Sequence, residues 1–351
     1  MSHPLNPAQR EAVRYLDGPL LVLAGAGSGK TRVIAAKIGF LIERGFDPQR
    51  IVAITFTNRA AREMRERTRQ LLASAGKSAL AQEVAISTFH ALGLRIVRDD
   101  ARALSLKPGF SILDPGDIEP IVAELIGTSD RGRARSAQSR ISAWKNALTP
   151  PSTAAKAAQS DDEAVAAQAY LRYDDALRAY HAVDFDDLIA LPIRLLTVDP
   201  SALVKWRERC AHVLVDEYQD TNPAQYRLFK LLVGERGAFT VVGDDDQAIY
   251  GWRGATLDNL GALPTDYPAL KVVKLEQNYR STARILRSAN TLIANNPKLF
   301  AKSLWSEHGF GDAIHIAPAA DDEAEAESVV RRLLAHRFED PGRYGRYAVL
   351  Y

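Results

Sequence analysis

The sequence predicts an α/β protein whose parallel sheet is interrupted by an all-helical insertion. Short apolar runs, such as 20–23 and 51–57, are each followed by a stretch with helical periodicity, which is typical of parallel strands joined by helices. Between 91 and 183 the composition becomes rich in Ala and Arg, with helical spacing and few strand signals. The strand–helix pattern resumes at Asp184. We therefore expect one α/β domain assembled from two segments of the chain.

The first strand leads into a glycine-rich loop and then into a helix that runs to about Glu43. The loop and the helix start comprise Ala24, Gly25, Ala26, Gly27, Ser28, Gly29, Lys30 and Thr31. Glycines let backbone N–H groups curl around a phosphate, and the helix N-terminus adds a partial positive charge. We expect Lys30 to reach the β- and γ-phosphates of a nucleotide and Thr31 to hold Mg²⁺. The usual pattern begins with Gly, but the small Ala24 fits the same space.

A carboxylate pair ends the apolar run 212–215 and predicts the catalytic half of the nucleotide site. Asp216 would hold Mg²⁺ through water, and Glu217 would orient and deprotonate an attacking water. Two adjacent carboxylates at a strand end repel each other unless a cation relieves them. A magnesium ion on the γ-phosphate would do so.

Three further side chains near strand ends complete the predicted nucleotide site. Gln247 follows the strand 239–243 and could sense the γ-phosphate or the attacking water. Arg280 follows the strand 271–275 and is a candidate for stabilising charge on the γ-phosphate, while Tyr279 could stack on the base. Nearer the N-terminus, Gln9 lies on a short helix, and its amide matches an adenine edge because it both donates and accepts.

Aromatic and polar residues at other strand ends predict contacts with single-stranded nucleic acid. Tyr250, Trp252 and Arg253 lie within four residues, bracketed by Gly251 and Gly254, which favours a loop that stacks on unpaired bases. Open α/β sheets bind ligands at the carboxyl ends of their strands, where five more candidates stand: Phe56, Asn58, Thr88, Phe89 and His90.

The insertion carries basic residues whose role the sequence leaves open. Between 131 and 160 there are six of them and no acidic residue: Arg131, Arg133, Arg135, Arg140, Lys145 and Lys156. A patch for the phosphate backbone and an ordinary solvated helix fit equally well. Three carboxylates follow at Asp184, Asp186 and Asp187, where capping of a helix is favoured over a metal site.

Composition limits the class of protein. The chain has 351 residues, of which 46% are hydrophobic and 25% charged, and its net charge is +2. Nucleic-acid contacts must therefore come from local clusters rather than from a general positive charge. The single Cys210 excludes an internal disulfide. No apolar run approaches the roughly 18 residues of a membrane span, so we expect a cytoplasmic protein with no membrane contact.

These motifs together resemble the superfamily 1 DNA helicases of the UvrD/PcrA/Rep group, most closely its Rep branch. The matching segments follow the family's order: Leu5–Pro7 with Gln9, Ala24–Thr31, Thr55–Asn58, Ser87–His90, Asp184–Asp187, Asp216–Asn222, Val241–Ala255 and Leu275–Thr282. Val241–Gln247 and Leu292–Pro297 favour the Rep branch in particular.

The resemblance implies a RecA-like P-loop NTPase domain (1A) at 1–106 and 185–278, a helical insertion (1B) at 107–184, and the beginning of a second RecA-like domain (2A) at 279–351. It implies that ATP binds with Mg²⁺ and that hydrolysis drives 3′→5′ movement on single-stranded DNA, with unwinding of duplex at single-strand/duplex junctions in replication or repair. Self-association or replication and repair proteins are possible partners.

Individual roles also follow from the resemblance. Gln9 and Arg32 contact adenine, and Tyr279 stacks on it. Gln247 and Arg280 read the γ-phosphate. The single-strand path is lined by Phe56, His90, Tyr250, Trp252 and Arg253.

Chains of this family are about twice as long, and this one stops within an expected strand at Ala348–Tyr351. We therefore expect a truncated product that binds ATP weakly and hydrolyses it poorly. Two alternatives stay open: a catalytically incomplete protein that binds ATP and single-stranded DNA, and the helicase subunit of a recombination nuclease complex. A phosphate-loop kinase is disfavoured because it has no use for the Tyr250–Arg253 platform.

Overall fold

A central sheet of six parallel strands organises the protein, for which a computed structural model describes residues 4–73 and 76–350. Its strand order is β3-β2-β6-β7-β1-β8, and a separate parallel pair joins β4 to β5. The strands are β1 Leu20–Ala24, β2 Ile51–Thr55, β3 Ala85–Thr88, β4 Ser111–Ile112, β5 Ala182–Val183, β6 His212–Val215, β7 Phe239–Gly243 and β8 Lys271–Leu275.

Helices cover both faces of the sheet and form the insertion. They are α1 Pro7–Arg14, α2 Lys30–Glu43, α3 Asn58–Ala73, α4 Leu80–Glu83, α5 Phe89–Asp99, α6 Pro115–Ile126, α7 Arg131–Asn146, α8 Pro151–Ala157, α9 Asp161–Ala179, α10 Asp187–Val198, α11 Pro200–Arg209, α12 Pro223–Val233, α13 Asp258–Asp266, α14 Ala283–Ile293 and α15 Asp322–Glu339. The helix expected from Lys30 to Glu43 has those bounds.

The sheet separates two hydrophobic cores. In β1, Leu21 and Leu23 face one core, while Leu20 and Val22 face the other, because successive side chains of a strand point to opposite faces. Every residue of β1 is buried. This burial on both sides explains why the sequence shows a continuous apolar run there rather than an alternating pattern.

The insertion has a core of its own, built by α6, α7, α8 and α9. Its alanines, such as Ala137 and Ala166, let the helices approach closely around Tyr170 and Tyr173. The sequence predicted only helices here. The structure adds the two-residue strands β4 and β5, which pair at the base of the insertion, with Ser111 opposite Ala182.

β2 is shorter than the apolar run 51–57 that predicted it, and β2 and β3 both end where threonine side chains cap the helices that follow. The Thr57 hydroxyl accepts a hydrogen bond from the Ala60 N–H at 3.0 Å, and the Thr88 hydroxyl accepts one from Ala91 at 3.2 Å. These caps satisfy backbone donors that the first helical turn leaves free. Each chain segment thus turns from strand to helix at the sheet edge, which places Phe56 and His90 beside the turn.

Beyond β8 the chain returns over the loop that follows β1. Trp305 pairs with Gln277 in an isolated parallel bridge, and Leu304 lies against Gly25. Further on, α15 packs little in the described part of the chain, where none of its residues is buried. Residues 348–350 form no strand, contrary to expectation, and Tyr351 lies outside the described residues. Among the described helices, none is long and apolar enough to cross a membrane.

Candidate nucleotide and nucleic-acid site

Four segments that are distant in sequence meet at one edge of the sheet. The glycine loop follows β1, Asp216 and Glu217 follow β6, Gln247 follows β7, and Tyr279 follows β8. These strands are parallel neighbours in the order β6-β7-β1-β8. Their carboxyl ends therefore lie side by side, which is where open α/β sheets bind ligands.

The glycine loop needs glycine at two positions. Gly27 and Gly29 have φ angles of +70° and +89°, which side chains rarely tolerate. A Cβ on Gly27 would also lie 2.7 Å from Nδ2 of Asn278. Inside the loop the Ser28 hydroxyl donates to the Gly25 carbonyl at 2.7 Å. The loop is thus held in a tight curve directly before the N-terminus of α2.

Lys30 is the centre of the site. Its Nζ donates to Oε2 of Glu217 at 2.7 Å and lies 3.5 Å from Oε1 of Gln247. Its side chain is 11% exposed, against 37% for Glu217. The structure thus brings together the predicted phosphate-binding cation, the predicted base and the predicted γ-phosphate reader.

The carboxylate pair Asp216–Glu217 carries more negative charge than the nearby Lys30 can neutralise. Asp216 is 4% exposed, and burial, together with the adjacent Glu217, raises its pKa to about 7 despite the opposing effect of Lys30. Glu217 has a φ of +50°, an uncommon conformation outside glycine that is often found at functional sites. A divalent cation between Asp216 and the hydroxyl of Thr31 would supply the missing charge, so this donor set fits Mg²⁺.

Two residues that the sequence reasoning missed connect the catalytic segments. Gln219 donates from Nε2 to Oε2 of Glu217 at 3.0 Å, and its Oε1 accepts from the Asp244 N–H at 2.9 Å. Asp244 in turn accepts a hydrogen bond from Nε2 of Gln247. Both residues lie within segments that the resemblance had marked, but the hydrogen bond that joins them spans 25 residues of sequence.

A third missed residue, Asn278, connects the glycine loop to the segment after β8. Its Nδ2 donates to the Ala26 carbonyl at 2.6 Å, and the Tyr279 N–H donates to the Gly27 carbonyl at 2.9 Å. The Arg280 N–H bonds back to Oδ1 of Asn278 at 2.8 Å. Tyr279 and Arg280 are exposed beside the loop, so both predicted nucleotide contacts lie next to it.

Gln9 contacts the loop itself. It is 1% exposed, and its Nε2 donates to the Ser28 carbonyl at 2.8 Å while its Oε1 accepts from the Asn6 N–H at 3.1 Å. Asn6 also donates to the Tyr279 hydroxyl at 2.8 Å. Gln9 and Tyr279 thus meet at the loop, with Arg32 on the first turn of α2. Their contacts with adenine stay a prediction.

Beside the nucleotide segments lies a cleft of about 220 Å³ that collects the predicted DNA contacts. Burial lowers the pKa of His90, which favours the neutral imidazole. The lining of this cleft includes Phe56, Thr88, His90, Tyr250 and Arg253, while Asn58 is exposed at the start of α3. Except for Asn58 and Trp252, the predicted DNA contacts therefore come together in the lining of this cleft.

Phe89 is the most deeply buried of the predicted DNA contacts. Its side chain is 1% exposed and belongs to the core, where its ring meets the edge of Phe56 with centroids 5.9 Å apart. An apolar residue at the first position of an amphipathic helix can face inward, and α5 buries this face against the sheet. Phe89 therefore serves mainly as a core residue that supports Phe56, and its contact with DNA stays a prediction.

A larger cleft of about 780 Å³ separates the insertion from the aromatic loop. Trp252 is 75% exposed on one wall, with the Arg253 guanidinium 4.5 Å from its ring centroid and 5.1 Å from that of Tyr250. Arg131 and Arg135 of α7 lie on the other wall. This cleft thus joins stacking surfaces to positive charge, as a nucleic-acid groove does.

The basic residues of the insertion include both exposed and buried side chains. Arg131 and Arg135 remain exposed although both pair with Glu119. Lys145, in contrast, is 4% exposed and pairs at 2.7 Å with both Asp184 and Asp187. Lys145 therefore cannot belong to a phosphate-binding patch, and the two aspartates serve a buried ion pair as well as the helix start.

Comparisons with known proteins identify the family of this chain. Residues 5–268 match the UvrD/REP helicase N-terminal domain, and residues 273–351 match the UvrD-like helicase C-terminal domain. ATP-dependent DNA helicase Rep of Escherichia coli K12 is 50% identical over 99% of this chain, and ATP-dependent DNA helicase PcrA of Staphylococcus epidermidis is 41% identical over 99%. These alignments cover 52% and 48% of the relatives, so the chain spans about half their length. The chain belongs to the UvrD/REP helicase family.

Proposed function

We propose that this protein is an ATP-driven motor that moves 3′→5′ on single-stranded DNA and unwinds duplex ahead of it. One observation carries the proposal: the Lys30, Glu217 and Gln247 cluster adjoins a cleft lined by Phe56, His90 and Tyr250. A hydrolysis site and a base-stacking surface thus share one edge of the sheet. The names of the relatives, which are ATP-dependent DNA helicases, support the same reading.

In this proposal Lys30 binds the β- and γ-phosphates in place of its present partner Glu217. Glu217, released from the ammonium group, then orients a water and accepts its proton. Gln247 lies close enough to Lys30 to sense the γ-phosphate, and Arg280 stabilises the charge that develops during transfer. Thr31 and Asp216 are the residues that would hold Mg²⁺. When bound, that ion would neutralise charge on the phosphates.

The DNA-binding part of the proposal uses stacking and local charge. Bases would stack on Phe56, Tyr250 and Trp252, because aromatic rings accept any base face. Arg131 and Arg135 would contact phosphates across the larger cleft. This arrangement requires no specific base sequence.

We assign the motor's parts as 1–106 with 185–278 for the first RecA-like domain, 107–184 for the insertion, and 279–351 for the beginning of the second domain. Closure of the two RecA-like domains on ATP, followed by opening after hydrolysis, would move the strand between aromatic pockets. Junctions between single strand and duplex are the proposed substrate, and the activity is proposed for the complete gene product.

A polarity experiment tests this function. Two duplexes that differ only in carrying a 3′ or a 5′ single-stranded tail are incubated with the complete gene product, ATP and Mg²⁺, and strand separation is measured. We expect separation of the 3′-tailed duplex alone, and none with a Lys30→Met variant. Preference for the 5′ tail, or separation without ATP, would overturn the proposal.

A further inference from the structure

A buried lysine from beyond β8 lies among three consecutive aspartates. Nζ of Lys302 is 2.7 Å from Oδ1 of Asp244 and 2.9 Å from Oδ2 of Asp246, and it also contacts Asp245. The Lys302 side chain is 4% exposed. The three aspartates bring one carboxylate oxygen each to within 4.8 Å of one another, and the ammonium group is their common partner.

The charge balance of this cluster depends on Lys302. Burial alone would lower the pKa of the lysine, but hydrogen bonds to Asp244, Asp245 and Asp246 outweigh it and raise the pKa above its ordinary value. The ammonium group is therefore charged throughout the physiological range. Without it, three crowded carboxylates would repel one another where little water screens them.

The cluster is also directly connected to the nucleotide segments. Asp244 accepts from Gln247, and its backbone N–H donates to Gln219. Gln219 donates to Glu217, and Gln247 lies 3.5 Å from Nζ of Lys30. Asp244 is thus one hydrogen bond away from both side chains that touch the Lys30–Glu217 pair.

Lys302 comes from a segment that is anchored independently of the aspartates. The Ala301 carbonyl accepts from Nζ of Lys274 at 2.6 Å, and Leu304 lies against Gly25 of the glycine loop. The segment 300–305 therefore covers the glycine loop with one residue and enters the Asp244–Asp246 turn with another.

We propose that Lys302 is a positioning residue for ATP hydrolysis. By neutralising Asp244, Asp245 and Asp246 it fixes the turn that aims Gln247 and Gln219 at the Lys30–Glu217 pair. This inference rests on the proposed ATPase function. It adds a residue that touches neither nucleotide nor DNA, and it links the segment after β8 to the hydrolysis step.

The test removes the positive charge of Lys302 and keeps a side chain of similar length. A Lys302→Met variant of the complete gene product is compared with the wild type in steady-state ATP hydrolysis at saturating single-stranded DNA. We expect kcat to fall by about ten- to a hundredfold, since small misplacements of catalytic groups have effects of this size, while KM for ATP changes little. Lys274→Met is the matched control, because it loosens the same segment without touching a carboxylate, and it should retain wild-type kcat.

A second substitution separates positioning from general damage to the fold. Asp245 contacts Lys302 and the Phe300 N–H but not Gln247, so Lys302→Met with Asp245→Asn removes one repelling charge and leaves Asp244 in place. We expect this double variant to recover most of kcat. Wild-type kcat in Lys302→Met, or a loss of kcat with a lowered melting temperature and no recovery in the double variant, would overturn the inference. Absence of ATP hydrolysis in the wild type would instead overturn the proposed function.

Discussion

Glu217 and Gln247 both lie within 3.5 Å of the Lys30 ammonium, although Gln247 is more than two hundred residues away from it in sequence. Each could be predicted because it follows a recognisable strand along the chain and has a side chain of the right chemistry. Gln219, Asp244 and Lys302 could not, because their roles depend on partners that only the fold brings close. A buried lysine and a solvated one look alike in sequence.

Trp252 provides a residue-scale prediction about DNA. Its indole is 75% exposed and carries the Arg253 guanidinium at 4.5 Å, so it offers a stacking surface without a role in the core. Trp252→Ala should weaken binding of single-stranded DNA by about 1–3 kcal/mol. Fluorescence anisotropy with a labelled oligonucleotide measures this change.

The control for that measurement is Phe338→Ala. Phe338 is 89% exposed on α15, so the substitution removes an exposed aromatic ring elsewhere on the molecule and should leave DNA affinity unchanged. Equal affinities of wild type and Trp252→Ala would remove the indole from the proposed DNA path.

Among the elements, α7 and α10 are joined by the buried contacts of Lys145. The ammonium pairs with Asp184 and Asp187, and Asp184 also accepts from the Tyr173 hydroxyl at 2.9 Å. Lys145→Ala leaves two carboxylates buried without a cation and should lower the free energy of unfolding by about 3–5 kcal/mol. Urea denaturation followed by circular dichroism measures it. The exposed Lys156 of α8 supplies the control, since Lys156→Ala should change stability by less than about 0.5 kcal/mol.

The start of β6 carries a pH-dependent contribution to stability. His212 is buried against Phe46 and Thr240, and burial lowers its pKa to about 3, helped by Lys37 and Arg236. The unfolded chain, with an ordinary histidine pKa of about 6.5, binds more protons between these values. Stability should therefore fall as the pH drops below about 6.5, by about 2 kcal/mol at pH 5 from this group.

Melting temperatures at pH 7 and pH 5 measure that effect. His212→Gln keeps a partner for Thr240 but does not titrate, so it should lose less stability on acidification than the wild type. The exposed His315 gives the control, and His315→Gln should keep the acid sensitivity of the wild type. If His212→Gln lost as much stability as the wild type, the acid sensitivity would have another origin.

Strand and helix types were predictable from the sequence because the apolar runs and helix starts are strong local signals. The ends of β2 and β3 were less so, since threonine caps stop each strand before the apolar and aromatic residues run out. The position of Phe89 also required the structure. Its inward orientation depends on how α5 packs, and no local sequence pattern indicates this orientation.

For the whole molecule, the fold class followed from alternating strands and helices, but the strand order did not. Only the order β6-β7-β1-β8 places the four nucleotide segments side by side. The larger cleft likewise exists because the insertion, with its own core, stands opposite Trp252. Long-range packing of this kind leaves no periodic signal in the chain.

ATP hydrolysis measured with and without single-stranded DNA, in the wild type and in Glu217→Gln, tests most directly whether the two halves of the site work together. The complete gene product should hydrolyse ATP faster when DNA is present. Glu217→Gln should lose about a hundredfold or more in turnover while still binding ATP, because the amide keeps the shape of the side chain but accepts no proton. An ATP turnover that is the same with and without DNA would contradict the account, as would a Glu217→Gln variant as fast as the wild type.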